Sequence, residues 1–297
     1  MTLGLAERNM TDAIAQQDWL EPVDQTLNNA VDGAFTGMGP IGQQVRNFLH
    51  GTWLGHPLHP ALTDVPVGAW TTALAFDALD LAAGRIDLQP GADAAVGLGL
   101  LGAAGAALAG LTDWQKTYGK ARRVGLVHGL LNVGVVGLYG ASLVCRKSGA
   151  RGAGRALAAA GYLVAFYSTY LGGTLVYQQR IGVDHTNDLT AAPPSDFTRV
   201  LADADLKDGA LKKVEAAGVP VLLARQHGQV YALADTCAHL GCSLADGTLD
   251  DGSVTCPCHG SRYALEDGRV IDGPSTFPQL AYEARVRDGQ IEVRLTE

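Results

Sequence analysis

The chain has 297 residues, of which 47% are hydrophobic and 18% charged, enough for about two domains and short of charge for a soluble protein. Its net charge of −8 lies largely toward the two ends and argues against nucleic acid as a partner. The shortage of charge is uneven: residues 94–111, 124–144 and 156–176 carry no Asp, Glu, Lys or Arg. Met1 to Arg8 lacks a basic stretch leading into an apolar run, so no signal peptide is expected.

Residues 1–50 read as a soluble or interfacial helical segment. Val23, Leu27, Ala30, Val31, Ala34 and Phe35 recur at helical spacing, Pro22 suits a first turn, and a second short helix fits Gln43 to Leu49. Such a helix either lies on a membrane or packs on a protein surface. Trp53 suits the membrane–water boundary. Residues 51–181 then read as a four-span membrane bundle. The spans run over about Ala61–Leu81, Ala94–Leu111, Val124–Val144 and Ala156–Val176. The first is the least clean, because Asp64, Asp77 and Asp80 lie in it; they must sit at its ends or face protein or water. Gly and Ala in the second span, and Gly125-x-x-x-Gly129 in the third, suit close helix approach. Cys145 is most simply a buried or interfacial small residue. The box Gly55-His56-Pro57-Leu58-His59-Pro60, followed by Thr63-Asp64-x-Pro66-x-Gly68-x-Trp70, resembles the DUF2231 family of four-span membrane proteins over about residues 50–185. That resemblance implies a topology and no chemistry.

Counting crossings places His56, His59, Asp64, Asp113, His128, Asp184 and His185 toward one membrane face, where the tail also emerges. They could hold b-type haem between two helices, bind a divalent metal, form a quinone pocket, or dock the tail domain. The plain alternative is that helix ends near headgroups are polar and that His56 and His59 shape a Pro-rich turn. Sidedness is weakly written. The loops 112–123 and 146–155 carry four basic residues each. Arg122-Arg123 is the one twin-arginine pair ahead of a span, and it precedes two spans, so the tail domain is expected in the cytoplasm of a cell-membrane protein.

Residues 182–196 read as a polar connector through Asp184, Asn187, Asp188 and Pro193-Pro194. Residues 197–297 read as an antiparallel all-β domain. Short strands are expected over Phe197–Val200, Gly209–Val214, Val219–Ala224 and Val230–Leu233, with a closing hairpin of Tyr282–Arg287 and Gln290–Leu295 about Asp288-Gly289. Two boxes interrupt it, Cys237-Ala238-His239-Leu240-Gly241-Cys242 and Cys256-Pro257-Cys258-His259-Gly260-Ser261, with sixteen residues between His239 and Cys256. Each box supplies one Cys and one His to a shared site, as a [2Fe–2S] centre with two His and two Cys requires. A structural zinc site is the rival, although zinc fingers usually pair like ligands within a box.

These boxes resemble the Rieske family, in the cysteine-rich form found in cytochrome bc-type complexes. The resemblance implies a [2Fe–2S] cluster with Cys237 and Cys256 on one iron and His239 and His259 on the other. It also implies a Cys242–Cys258 disulfide clamping the loops. Ser261 and Tyr263 match positions that donate hydrogen bonds to the cluster's sulfurs in high-potential members, and Gly273-Pro274-Ser275 matches the loop that covers the cluster. The expectation is a membrane-anchored one-electron carrier between a donor, quinol among the candidates, and another redox protein. The alternatives are a ferredoxin-like donor to a separate oxygenase and a redox-sensing membrane protein. The chain ends about forty residues after His259, too soon for an oxygenase's mononuclear iron domain.

Overall fold

The structure, a computed structural model, describes residues 3–83, 87–186 and 191–296. Asn187 and Asp188 of the expected connector lie outside the described residues. The chain divides into two units, Met1–Gly42 with Leu58–Gln179, and Gln43–Pro57 with Arg180–Glu297.

The first unit is helical. Helices α1 (Leu3–Ala15) and α2 (Leu20–Gly37) precede four long helices, α4 (Leu58–Ala83), α5 (Gln89–Trp114), α6 (Gly119–Lys147) and α7 (Arg151–Tyr177), while α3 (Pro40–His50) bridges the boundary between the units. Each expected span falls inside one long helix. Helices α5 and α6 are long and apolar enough to cross a membrane, with mean hydropathy of 1.9 and 1.6. The long helices pack chiefly as two hairpins, α4 with α5 and α6 with α7. Their core is a stacked pair, Trp70 and Tyr139, with ring centroids 4.1 Å apart. Gly99 and Gly161 make room for it: a Cβ on Gly99 would lie 2.1 Å from the Trp70 indole nitrogen, and one on Gly161 3.0 Å from the Tyr139 ring. Of the Gly125-x-x-x-Gly129 pair, Gly125 abuts Trp114, whereas Gly129 has nothing within 4 Å of its would-be Cβ.

Of the charges expected to trouble the first span, Asp77 and Asp80 are paired, while Asp64 lies exposed. The side chain of Arg146, wholly buried, grips Asp77 and reaches Asp93 at 3.4 Å; Arg155 holds Asp80 and Asp77, and Arg151 holds Asp93 at 2.9 Å. One end of all four long helices is thereby tied together. Helix α2 packs on protein: Leu20 is fully buried with Trp114 and Leu126, and Asp24 pairs with Arg122. Arg123 donates to Glu21 and to the Ala15 carbonyl. Arg122 and Arg123 thus have structural partners within the helical unit.

Among the described residues the second unit carries ten strands, all paired antiparallel. One sheet has the order β1 (Thr198–Ala202), β10 (Gln290–Leu295), β9 (Ala281–Arg287), β4 (Gln229–Ala234), β3 (Val219–Gln226), β2 (Leu211–Ala216). The other runs β5 (Thr248–Asp250), β6 (Ser253–Thr255), β7 (Arg262–Ala264), β8 (Val270–Asp272). The closing hairpin turns on Asp288 and Gly289, both at positive φ, as a tight two-residue hairpin loop requires. The unbroken apolar run of β3 is explained by burial on both faces. Val221 and Leu223 enter one core with Ile291 and Val293, while Leu222 and Ala224 enter a second with Cys237, Cys256 and Tyr263.

Candidate metal centre

The two boxes fold into the same small loop. In the first, Cys237 N donates to Cys242 O at 2.8 Å and Gly241 N donates back to Cys237 O at 2.9 Å. In the second, Cys256 N donates to Ser261 O at 2.8 Å and Gly260 N to Cys256 O at 3.1 Å. Gly241 and Gly260 have φ of 79° and 81°, a backbone conformation that a side chain would strain, so glycine at this position is a geometric need of each loop. A disulfide joins the loops at Cys242 and Cys258, with the Cα atoms 6.5 Å apart.

The donors segregate. Cys237 and Cys256 are 1% and 2% exposed and hydrogen-bonded to each other, whereas His239 and His259 are half-buried. The imidazoles stand with centroids 4.8 Å apart and planes at 77°, and Nδ1 of His239 is buried. The hydrogen bond between the thiols and their burial push Cys237 up, while the same bond draws Cys256 down to about 7, inside the range where a thiolate forms readily. A pair of irons needs only two protein donors each, and two sulfurs inside with two imidazoles outside fit that demand.

The surroundings are built for rigidity and for hydrogen bonding to sulfur. Tyr263, fully buried on β7, places its hydroxyl 3.4 Å from Cys237 Sγ; burial and the neighbouring Cys237 hold its pKa well above the usual phenol value. Ser261 Oγ accepts from Ser275 N at 3.0 Å, joining the second box to the buried Gly273-Pro274-Ser275 loop. Three supports were not legible in the sequence. Buried Asp235 accepts from Ser243 Oγ and Ala245 N, both at 2.9 Å, and so braces the first box from behind. Asn47, from far upstream, donates to Asp272 at 2.9 Å and accepts from Gly273 N at 3.0 Å. His50, 2% exposed, packs where a Cβ on Gly273 would lie 2.9 Å from its ring. The segment 43–57 therefore braces the loop that follows β8. Past the last helix, His185 N donates to Ala238 O at 3.1 Å, so the chain is fixed to the first box on that side also.

The other polar residues expected at one membrane face are dispersed. In the helical unit Asp64 is exposed on α4 and Asp113 half-buried at the end of α5, whereas His59 and His128 stand ring to ring. In the β unit, His56 is exposed with Nδ1 on the Pro57 carbonyl, the Asp184 carboxylate accepts from Thr186 N and Oγ1, and the His185 ring meets Arg180 O.

Comparison with known proteins gives two matches along the chain. The Rieske [2Fe-2S] domain family matches residues 196–283, and the predicted membrane protein family DUF2231 matches residues 55–185. Ferredoxin CarAc of Metapseudomonas resinovorans is 34% identical over 98 residues, which cover 33% of this chain and 92% of that protein. The 3-phenylpropionate/cinnamic acid dioxygenase ferredoxin subunit of Escherichia coli (strain K12) is 33% identical over 95 residues, 32% of this chain and 89% of that one. The cytochrome b6-f complex iron-sulfur subunit of Chlorobaculum tepidum is 30% identical over 109 residues, 37% of this chain and 54% of that one. The site's cofactor is a [2Fe–2S] cluster, and the domain is an electron carrier.

Proposed function

Because the chain belongs to the Rieske [2Fe–2S] family, we propose that it is a membrane-tethered one-electron carrier in which Cys237 and Cys256 hold one iron and His239 and His259 the other. When bound, the cluster takes up and releases one electron. The observation that carries this reading is the pair of matched loops, with thiols side by side inside and imidazoles toward the surface. That asymmetry makes the histidine side the approach for a partner, and the ring nitrogen of each His that does not hold iron would take the proton that accompanies an electron. Quinol, which gives up protons with its electrons, suits such a surface as donor.

The bilayer tether rests on α4 to α7. At 26 to 29 residues each is roughly 39–43 Å long, more than a hydrocarbon core of about 30 Å. All four turn large apolar side chains outward, including Leu81, Leu101, Val133, Leu163 and Phe166, each at least 68% exposed. In water this belt would be a liability; against lipid it is expected. Phe48 and Trp53, stacked and more than half exposed, supply an interfacial anchor in the other unit. The reading keeps the cluster domain in the cytoplasm, where the Cys242–Cys258 bond must withstand a reducing thiol pool. Protease added to inverted vesicles is then expected to release it, and protection there would place it on the opposite face.

The Tyr263 hydroxyl on Cys237 Sγ favours the more negative reduced state, so the midpoint potential should lie above about 0 mV. Tyr263→Phe is expected to lower it by about 40 mV, the one-electron equivalent of roughly 1 kcal/mol of hydrogen bond strengthened on reduction. The test of the whole reading is a potentiometric titration of the full chain combined with its reduction by a quinol analogue. A midpoint above about 0 mV with rapid reduction supports it. A midpoint near about −150 mV with no reduction by quinol would favour a second reading, a ferredoxin-type donor to a separate oxygenase. The near-complete coverage of two ferredoxins, one of them a dioxygenase subunit, gives that reading its support.

A further inference from the structure

Residues 43–57, the greater part of α3 and the turn behind it, belong to the same unit as the cluster-binding loops, although the family match covers only residues 196–283. The contact between them centres on one amide. Asn47 Oδ1 accepts from Gly273 N and from Gln43 Nε2, both at 3.0 Å. Its Nδ2 donates to Asp272 Oδ1 at 2.9 Å and reaches Ile271 O at 3.4 Å. An Asn side chain offers two lone pairs on oxygen and two N–H groups, and all four are engaged here. Aspartate would keep the acceptor, lose both donors and set a second carboxylate against Asp272. The helix end beneath is closed too. Asn47 O accepts from Thr52 N at 3.2 Å and from Thr52 Oγ1 at 3.1 Å. His50 and Thr52 fill the space beside Gly273, where a Cβ would lie 2.9 Å from the imidazole and 3.3 Å from the Thr52 methyl. Asp272 is fixed from β7 as well, by Arg262 at 2.8 Å.

From Gly273 the bonding continues inward. Ser275 N donates to Ser261 Oγ at 3.0 Å, and Ser275 Oγ closes the loop on Phe277 O at 2.9 Å. Ser261 and Ser275 both hydrogen-bond to Tyr263, whose hydroxyl lies 3.4 Å from Cys237 Sγ. A backbone N–H only donates, so the Ser261 hydroxyl keeps its own proton for an acceptor other than Ser275 N. Ser261, Tyr263, Gly273, Pro274 and Ser275 are all buried. A displacement at Gly273 is therefore passed on through packed side chains. We propose that Asn47 is a positioning residue for the iron–sulfur centre: through the 273–275 loop it holds the Ser261 and Tyr263 hydroxyls in register with the sulfurs and so sets the reduction potential. Hydrogen bonds to the sulfurs tune such a centre, and they weaken steeply as distance and angle depart from the optimum. The inference rests on the carrier reading for its electrical readout; the brace itself is a property of the fold.

The test uses the purified full chain in detergent and two readouts. Amide hydrogen exchange followed by mass spectrometry reports the loop whether or not iron is bound, and potentiometric titration reports the centre. Asn47→Ala is expected to speed exchange at Gly273 and Ser275 about tenfold with iron content unchanged. It should also shift the one-electron equilibrium with a mediator of fixed potential about threefold toward the oxidised centre, which is about 28 mV at about 59 mV per tenfold. Gln44→Ala, exposed on the same helix, should move neither readout. Asn47→Asp should behave like the alanine variant. Adding Asp272→Asn to it restores the bond with donor and acceptor exchanged, and should bring both readouts back toward wild type. Faster exchange without a shift in midpoint, a shift without faster exchange, or a double variant no nearer wild type than Asn47→Asp would overturn the assignment. If the alanine variant takes up no iron, the single and double aspartate variants decide by the same criterion. A wild-type chain without a cluster would overturn the carrier reading and this inference with it, whereas a normal wild-type centre and an unmoved midpoint in Asn47→Ala would overturn this inference alone.

Discussion

Substituting Cys256 with Ser is expected to reduce the iron content of the purified chain to background and to erase the resonance signal of the reduced protein. The sulfur is 2% exposed and shares a hydrogen bond with Cys237. Of the two thiols it is the one whose pKa is drawn down, to about 7, by the bond to Cys237. A serine hydroxyl in its place would not ionise, and Cys237, held up by burial, would face the iron alone. Metal binding is folding free energy in a site assembled from two loops. The loops should therefore loosen as well, and the Cys242–Cys258 disulfide would be left to hold them. Iron analysis per chain measures this directly. Retention of wild-type iron by Cys256→Ser would remove this residue from the ligand set.

The second large effect is expected in the helical unit. Arg146→Met leaves Asp77 without its buried guanidinium partner and weakens the hold on Asp93. Removing one member of a buried pair typically costs about 3–5 kcal/mol. Arg155 and Arg151 still reach the two carboxylates, so the lower figure applies. Unfolding of the purified protein followed by helical circular dichroism, wild type against variant, gives the number. Adding Asp77→Leu should recover part of the loss, because the stranded charge is then gone. A variant as stable as wild type would mean that this end of the bundle is wet and the network is not what admits three aspartates to α4 and α5.

What the sequence made legible was local or repeated. The Asp288-Gly289 turn announces a hairpin because both residues tolerate positive φ, and β9 and β10 pair about it as expected. The boxes were legible because the chemistry demands particular atoms at short spacing, and the structure brings all four side chains onto two neighbouring loops. What escaped was set by distant contacts. The sheet β5 to β8 consists of three-residue strands, too short for any alternation to register, so none of its strands was expected from the sequence. Asn47 and His50 looked like parts of an interfacial helix; their partners on the loop after β8 lie more than two hundred residues away. Helix α2 could not be assigned to lipid or protein from its periodicity, and Leu20 against Trp114 and Leu126 decides for protein. Counting membrane crossings put seven polar residues toward one face but could not sort them. His56 and His59 are three apart, yet one precedes α4 and is exposed while the other enters the bundle and meets His128.

The central claim is that two like loops hold a pair of irons, sulfur on one and imidazole on the other. Metal analysis and electron spin resonance of the freshly purified, chemically reduced full chain test it most directly. The account predicts two irons and two acid-labile sulfides per chain with a rhombic signal from the reduced pair. Stoichiometric zinc, or iron with no signal on reduction, would contradict it.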